Sequence, residues 1–314
     1  MTSNRPSFLA KIIGRIILLA ILLFSVISSN AQTYFFDNYS VEDNLANSKV
    51  YSILQDRQHL VWLGTPSGVS IFDGVSFKNK TSKDGLAEKG VSTIYEDTHG
   101  NIWLGHFDGG ITRFDGKKYE PIPINIMESK SIVAFCENDK GQLWITSEGS
   151  GAIRIDNPNG PIENLKYEHY KGKRLSDRVY GCYLFRDKKN YFITDAGVKA
   201  FNPKENNFDN FNLEGMPRFF LTTVLFEDKE NNLWVGTQYG GLYEYVTKEK
   251  RFKIYDIRDG LSSNIVTSIA QGKDGSIWVG TWAGITKIDK NRLQIFNSQN
   301  GLFGDVVNCI KPDA

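Results

Sequence analysis

The sequence predicts an all-β chain, a β-propeller of four-stranded antiparallel blades with six complete blades and the start of a seventh. Three observations carry this expectation. An aromatic residue recurs about every 41 to 48 residues at Trp62, Trp103, Trp144, Phe192, Trp234 and Trp278. Other positions keep register with it across all six units. Each unit also divides into short β-like runs separated by Asp-Gly, Asn-Gly or Gly-Gly turns, and nothing after the N-terminal leader has helical periodicity.

The aromatics sit in segments of one kind: LVWLGT, NIWLGH, QLWITS, NYFITD, NLWVGT and SIWVGT. Nine residues earlier stand Ile53, Ile94, Phe135, Tyr183, Leu225 and Ile269, each preceded by a smaller residue: Ser52, Thr93, Ala134, Cys182, Val224 and Ser268. Seventeen residues before the aromatic come Leu45, Leu86, Met127, Leu175 and Leu261, with Met216 at eighteen. A four-stranded unit of this length cannot bury both faces of its sheet. Stacked blades can, and the alternation on the first strand with the tryptophan of the second would fill the space between them.

The sixth unit shows the division. IVTSIAQ reads as strand A, Gly272-Lys273-Asp274-Gly275 as a turn and SIWVGT as strand B. Trp282-Ala283-Gly284 makes the next turn, ITKID strand C and LQIFNS strand D. By this pattern the blades occupy about 50–80, 91–124, 131–168, 179–211, 221–255 and 265–297, with a partial blade at 306–314. Phe36 stands nine residues before Leu45, as Phe77 does before Leu86, so segment 33–39 reads as an outer strand that closes the last blade. The expectation is a seven-bladed ring of which roughly 30 residues lie outside this sequence.

At the N-terminus, Arg5, Lys11 and Arg15 precede the apolar run Ile16 to Ile27, and Ser29 and Ala31 are small residues suited to cleavage after Ala31. Residues 1–31 therefore read as a signal peptide and 32–314 as the propeller. The run is short for a membrane span, and an uncleaved anchor is the alternative. The net charge of +1 comes from this leader, which holds three bases and no acid. The remainder is nearly neutral, which excludes a global field for nucleic acid. Cys136, Cys182 and Cys309 are odd in number and far apart in sequence, so they read as buried free thiols with no disulfide or metal frame.

These repeats resemble the two-component regulator propeller repeat of Bacteroidetes sensor proteins. The likeness lies in Asp274-Gly275-Ser276-Ile277-Trp278-Val279-Gly280-Thr281 with Gly284-Ile285, in Asn232 to Thr237, in Asn101 to Gly105, and in Phe72-Asp73-Gly74 and Phe114-Asp115-Gly116. The fourth unit departs from it, with Phe192 in place of the tryptophan. The resemblance implies a periplasmic ligand-sensing propeller, with oligosaccharides as ligands in gut members. It also implies downstream parts in the same polypeptide: an immunoglobulin-like domain, a membrane helix and a histidine kinase or other output, with a homodimer as one form of the full-length protein.

No catalytic constellation or cofactor motif stands out. His59, His99, His106 and His169 are scattered, and His106 with Glu148 is the one pair open to nomination for lyase or hydrolase chemistry. Binding is the stronger expectation, because B–C and D–A loops of a propeller converge on one face. The B–C loops supply His106, Phe107, Asp108, Glu148, Asp195, Gln238, Tyr239 and Trp282, a mixture of aromatic and hydrogen-bonding groups suited to a sugar ring or similar polar solute. The D–A loops supply Lys89, Lys130, Arg178 and Arg218 on adjacent blades, a basic sector suited to an acidic oligosaccharide. A secreted scaffold that binds a protein partner is the alternative from a different class.

Overall fold

The computed structural model describes residues 36–124, 130–216, 221–290 and 292–313. The predicted leader, segment 33–35, Met127 and Arg218 lie outside the described residues. Two compact units are distinguished, 1–37 and 38–314, and the second is a β-propeller of six four-stranded antiparallel sheets, each with its strands in sequence order.

The inner strands A run Ser52–Gln55, Val91–Glu96, Ile132–Glu137, Val179–Leu184, Thr222–Glu227 and Val266–Gln271. The outer strands D run Phe77–Lys80, Tyr119–Pro121, Tyr167–Tyr170, Asn207–Asn210, Arg251–Tyr255 and Arg292–Phe296. Strands are short because every loop returns the chain after three to six residues, at turns where Gly74, Gly100, Gly116 and Gly275 adopt positive φ.

The core is divided into five clusters, one between each successive pair of blades. Trp62 packs on Phe114 of the next blade, Trp103 near Phe135, and Trp144 on Phe192 and Phe201. Trp62, Trp103, Trp144 and Trp234 are at most 4% exposed. Trp278 is only half-buried, and no further sheet follows blade six among the described residues. The repeat leucines at the D–A loops are buried as anchors: Leu45, Leu86, Leu175 and Leu261.

The motif's glycine has a packing reason. A Cβ on Gly105 would stand 2.6 Å from Ile132 of the next blade, and one on Gly236 2.6 Å from Val266. Its threonine fixes the B–C turn: the hydroxyls of Thr65, Thr194, Thr237 and Thr281 donate to the carbonyls of Gly68, Gly197, Gly241 and Gly284 at 2.7–3.0 Å.

The expectation of a partial seventh blade is corrected. Residues 306–313 form no β-strand, and neither do 36–39. A lone strand must share its ladder with a neighbour, and among the described residues no second strand of a seventh blade offers one. Segment 305–309 instead runs irregularly between blades six and one: Val307 N donates to Thr281 O (2.9 Å) and Asn308 Nδ2 to Val50 O (2.8 Å).

The cysteines are free, but two of them are not far apart in space. Cys136 and Cys182 lie in one core cluster between blades three and four. Burial, followed by the hydrogen bond with Cys136, raises the Cys182 thiol well above its ordinary range, which keeps it protonated and unreactive.

Candidate ligand-binding face

The B–C loops rest on the D–A loops through backbone hydrogen bonds. Glu148 N donates to Ser131 O (3.1 Å), Gly149 N to Asp177 O (2.8 Å), Gln238 N to Leu221 O (2.9 Å) and Trp282 N to Ile265 O (3.2 Å). These contacts place both loop sets on one face and leave the side chains to do the presenting.

His106 does not present. It is 0% exposed, with Nδ1 at 2.8 Å from Gly90 O and Nε2 at 2.9 Å from the Thr112 hydroxyl. It thus ties the D–A loop before blade two to that blade's third strand. Burial lowers its pKa from 6.5 to about 4, so it is neutral at physiological pH; both ring nitrogens are engaged within blade two and its entry loop, whereas Glu148 is exposed on blade three. A consequence is testable. As pH falls from about 6.5 to about 4, the unfolded chain takes up a proton that folded His106 refuses, so stability is intact above that window and declines through it. The urea midpoint measured against pH should show this decline, and His106→Gln should flatten it.

Asp108, Glu148, Asp195, Lys89, Lys130 and Arg178 are exposed, and Gln238 is half-buried. Tyr239 is 60% and Trp282 56% exposed. The structure draws part of the predicted basic sector together around blade three's B–C loop. The Lys130 side chain lies over Gly149, where a Cβ would meet it at 3.0 Å, and Arg178 pairs in a β-bridge with Glu148. Ser176 donates to Asp195 at 2.5 Å and accepts from Arg178 N at 3.2 Å. The sector therefore contains acids as well as bases. Lys89, Lys130 and Arg178 form no ion pair among the described residues.

Trp282 lines a cleft of about 840 Å³ between blades six and one, with Asn47, Ser48, Lys49, Tyr51, Phe303 and Asn308 among its walls. Lys49 Nζ stands 4.9 Å from the Tyr51 ring centroid, and Tyr51 meets Phe107 edge to face at 4.9 Å. Sequence reasoning named Trp282 but missed Lys49 and Tyr51. A signal existed: the place eleven residues before the repeat aromatic holds Ser92, Thr223 or Thr267 in other blades, where the hydroxyl bonds the backbone of the segment packed alongside, and in blade one it holds a tyrosine.

Among the described residues no group of three or more His, Cys, Asp or Glu is placed to hold a metal ion, and no helix is long and apolar enough to cross a membrane.

Comparison with known proteins places these observations. No curated protein matches the chain. Solved structures share the fold. The extracellular domain of a protein described as a one component system from B. thetaiotaomicron superposes with a TM-score of 0.67 at 19% identity, covering 83% of this chain and 35% of that one. The extracellular domain of a described hybrid two component system from the same organism gives 0.50 at 25% identity, covering 90% and 38%. Virginiamycin B lyase from Staphylococcus aureus gives 0.66 at 13% identity, covering 84% and 88%. The chain thus spans little more than a third of the two B. thetaiotaomicron domains. The two component regulator propeller family model matches at residues 44–67, 85–108 and 260–283, each a stretch from the D–A leucine through the Trp strand to its turn, so these three repeats are similar to that family's.

Proposed function

We propose that the chain is the ligand-sensing propeller of an exported sensor, acting in the periplasm and without catalysis of its own, and that it recognises a polar solute such as an oligosaccharide on the face formed by the B–C and D–A loops. The observation that carries this reading is the cleft beside Trp282: an aromatic more than half exposed, a second ring at Tyr51, and Lys49, Asn47 and Asn308 as hydrogen-bonding groups around it. Exposed aromatic planes stack on sugar rings, and amides and a cation orient hydroxyl or carboxylate groups. Lys89, Lys130 and Arg178, with Arg218 as the fourth member, favour an anionic ligand over a neutral one. A histidine kinase or other output, a membrane anchor and a dimer belong to the full-length protein on this reading.

One wall of the cleft is segment 305–309, whose Val306, Val307, Asn308 and Cys309 line it and which packs on blade six. Val307 approaches Gly280 (a Cβ there would meet it at 3.0 Å) as Ile132 approaches Gly105 and Val266 approaches Gly236. Thr267 Oγ1 donates to Val307 O at 2.5 Å, as Thr223 does to Val266 O and Ser92 to Ile132 O, both at 2.6 Å.

Calorimetric titration with a panel of neutral and acidic oligosaccharides tests the reading. Trp282→Ala is expected to weaken neutral and anionic sugars alike, whereas Arg178→Ala should weaken anionic sugars by roughly tenfold or more and leave neutral ones unchanged. Binding indifferent to both substitutions would place the site elsewhere. A second reading, a secreted scaffold for a protein partner, is favoured by Phe303 at 74% and Val306 at 59% exposure. Capture of one partner by a protein that binds no glycan would select it, and turnover of a polysaccharide would select a lyase or hydrolase.

A further inference from the structure

On the opposite face, where A–B and C–D turns meet, a groove of about 610 Å³ separates blades three and four. Lys140 and Arg154 enter it from blade three, and Lys188, Lys189 and Lys204 from blade four. Arg154 is spent on Asp156 at 2.9 Å and Glu168 at 3.3 Å. The four lysines are exposed and form no ion pair among the described residues. The groove's own acids are Asp139 and Asp209, and Asp209 already accepts from Asn202 Nδ2 at 3.0 Å.

The amides on the walls are oriented in one sense. The side-chain oxygen of Asn138 accepts from Lys140 N and Gln142 N, that of Gln142 from Asn138 Nδ2, that of Asn202 from Lys204 N, and that of Asn206 from Tyr170 and Arg154. Asn138, Gln142 and Asn202 each use one N–H in these networks, and an amide carries two. Apart from the carboxylates of Asp139 and Asp209, what the walls retain is donors and positive charge. A hydroxyl-rich neutral ligand needs acceptors as well as donors, whereas an oxyanion needs donors alone.

A neighbouring groove sharpens the contrast. Between blades one and two, a cavity of about 700 Å³ also carries cations, but Lys78 pairs with Asp73, Lys80 with Asp84 and Arg57 with Glu96, at 3.4–3.7 Å. Inter-blade grooves of this fold can be electrostatically closed, and the one between blades three and four is open.

We propose that the groove between blades three and four is a binding site for a multivalent oxyanion, such as a sulfated or phosphorylated small molecule, separate from the loop face on the other side of the ring. Inorganic tripolyphosphate and a sulfated disaccharide, titrated by calorimetry against the full chain, distinguish the two sources of that chemistry, with the unsulfated disaccharide as the neutral probe. Binding of either anion is expected, weakening as salt rises, with no binding of the neutral sugar. The double variant Lys140→Glu with Lys204→Glu should bind at least about tenfold more weakly with an unchanged melting temperature, since both side chains are exposed. Lys117→Glu in the blade one–two groove and Arg178→Ala on the loop face should leave the affinity unchanged. Failure of both anions to bind, equal binding of the neutral sugar, or an equal loss in Lys117→Glu would overturn the proposal.

Discussion

Replacing Asp97 with alanine is expected to destabilise the propeller by roughly 3 kcal/mol or more, because one buried carboxylate serves four donors. Asp97 is 0% exposed. Its Oδ1 accepts from His99 N and Asn101 N, both at 2.9 Å, which closes the A–B turn of blade two. Its Oδ2 accepts from Asn101 Nδ2 at 2.7 Å and from Trp103 Nε1 at 2.8 Å. Alanine would leave the indole N–H stranded in the core and the turn uncapped. Asp97→Asn should cost less, about 1–2 kcal/mol, since its oxygen can still cap the turn while its amide cannot accept from the indole. Chemical denaturation of both variants checks the order. Equal losses would show that the carboxylate does one job rather than two.

The reverse change is expected to stabilise blade three. Asp56 and Asp228 serve Trp62 and Trp234 as Asp97 serves Trp103, at 2.7 and 2.9 Å, always six residues before the tryptophan. In blade three that place holds Asn138, whose oxygen caps the turn and whose Nδ2 donates to Gln142 Oε1 at 2.7 Å. Two donors cannot meet each other, and Trp144 Nε1, in a side chain 0% exposed, has no partner. Asn138→Asp should supply the acceptor and raise stability by about 1–2 kcal/mol. Gln142 would turn its amide to donate, as Asn101 and Asn232 do from the same position in blades two and five. A melting temperature a few degrees higher is the expected readout. A lower one would mean that burying the new charge outweighs the bond it makes.

The other two units follow the same rule by different chemistry. Blade four has Phe192, with no N–H to satisfy, and Arg186 at the sixth place before it. Blade six has Gly272 there, and the Ser276 hydroxyl accepts from Trp278 Nε1 at 3.0 Å instead. The acid that ends strand A in blades one, two and five is thus a partner for the indole, a role visible once the side chains are placed.

Much of the fold was legible in the sequence, since a repeat whose strands are local hairpins writes its period directly into the chain. The aromatic every 41 to 48 residues, the large and small pair nine and ten before it and the leucine seventeen before it are all one-blade features, and the six sheets follow from them. Features that depend on two blades at once were not legible. Whether His106 faces solvent or the core depended on Gly90 and Thr112 closing over it. That Cys136 and Cys182 meet depended on how blades three and four stack. Residues 306–313 carry a strand-like pattern, yet a strand needs a hydrogen-bonded neighbour and they form none. The candidate sites show the same division. Composition named the exposed cations and aromatics one by one, but the cleft at Trp282 and the uncompensated groove beside Lys140 and Lys204 exist only because residues from separate repeats line a common space. The sequence by itself determined the blade, since its contacts are local in the chain. Tertiary structure decided which side chains share a pocket, since that is set by the packing of one blade on the next.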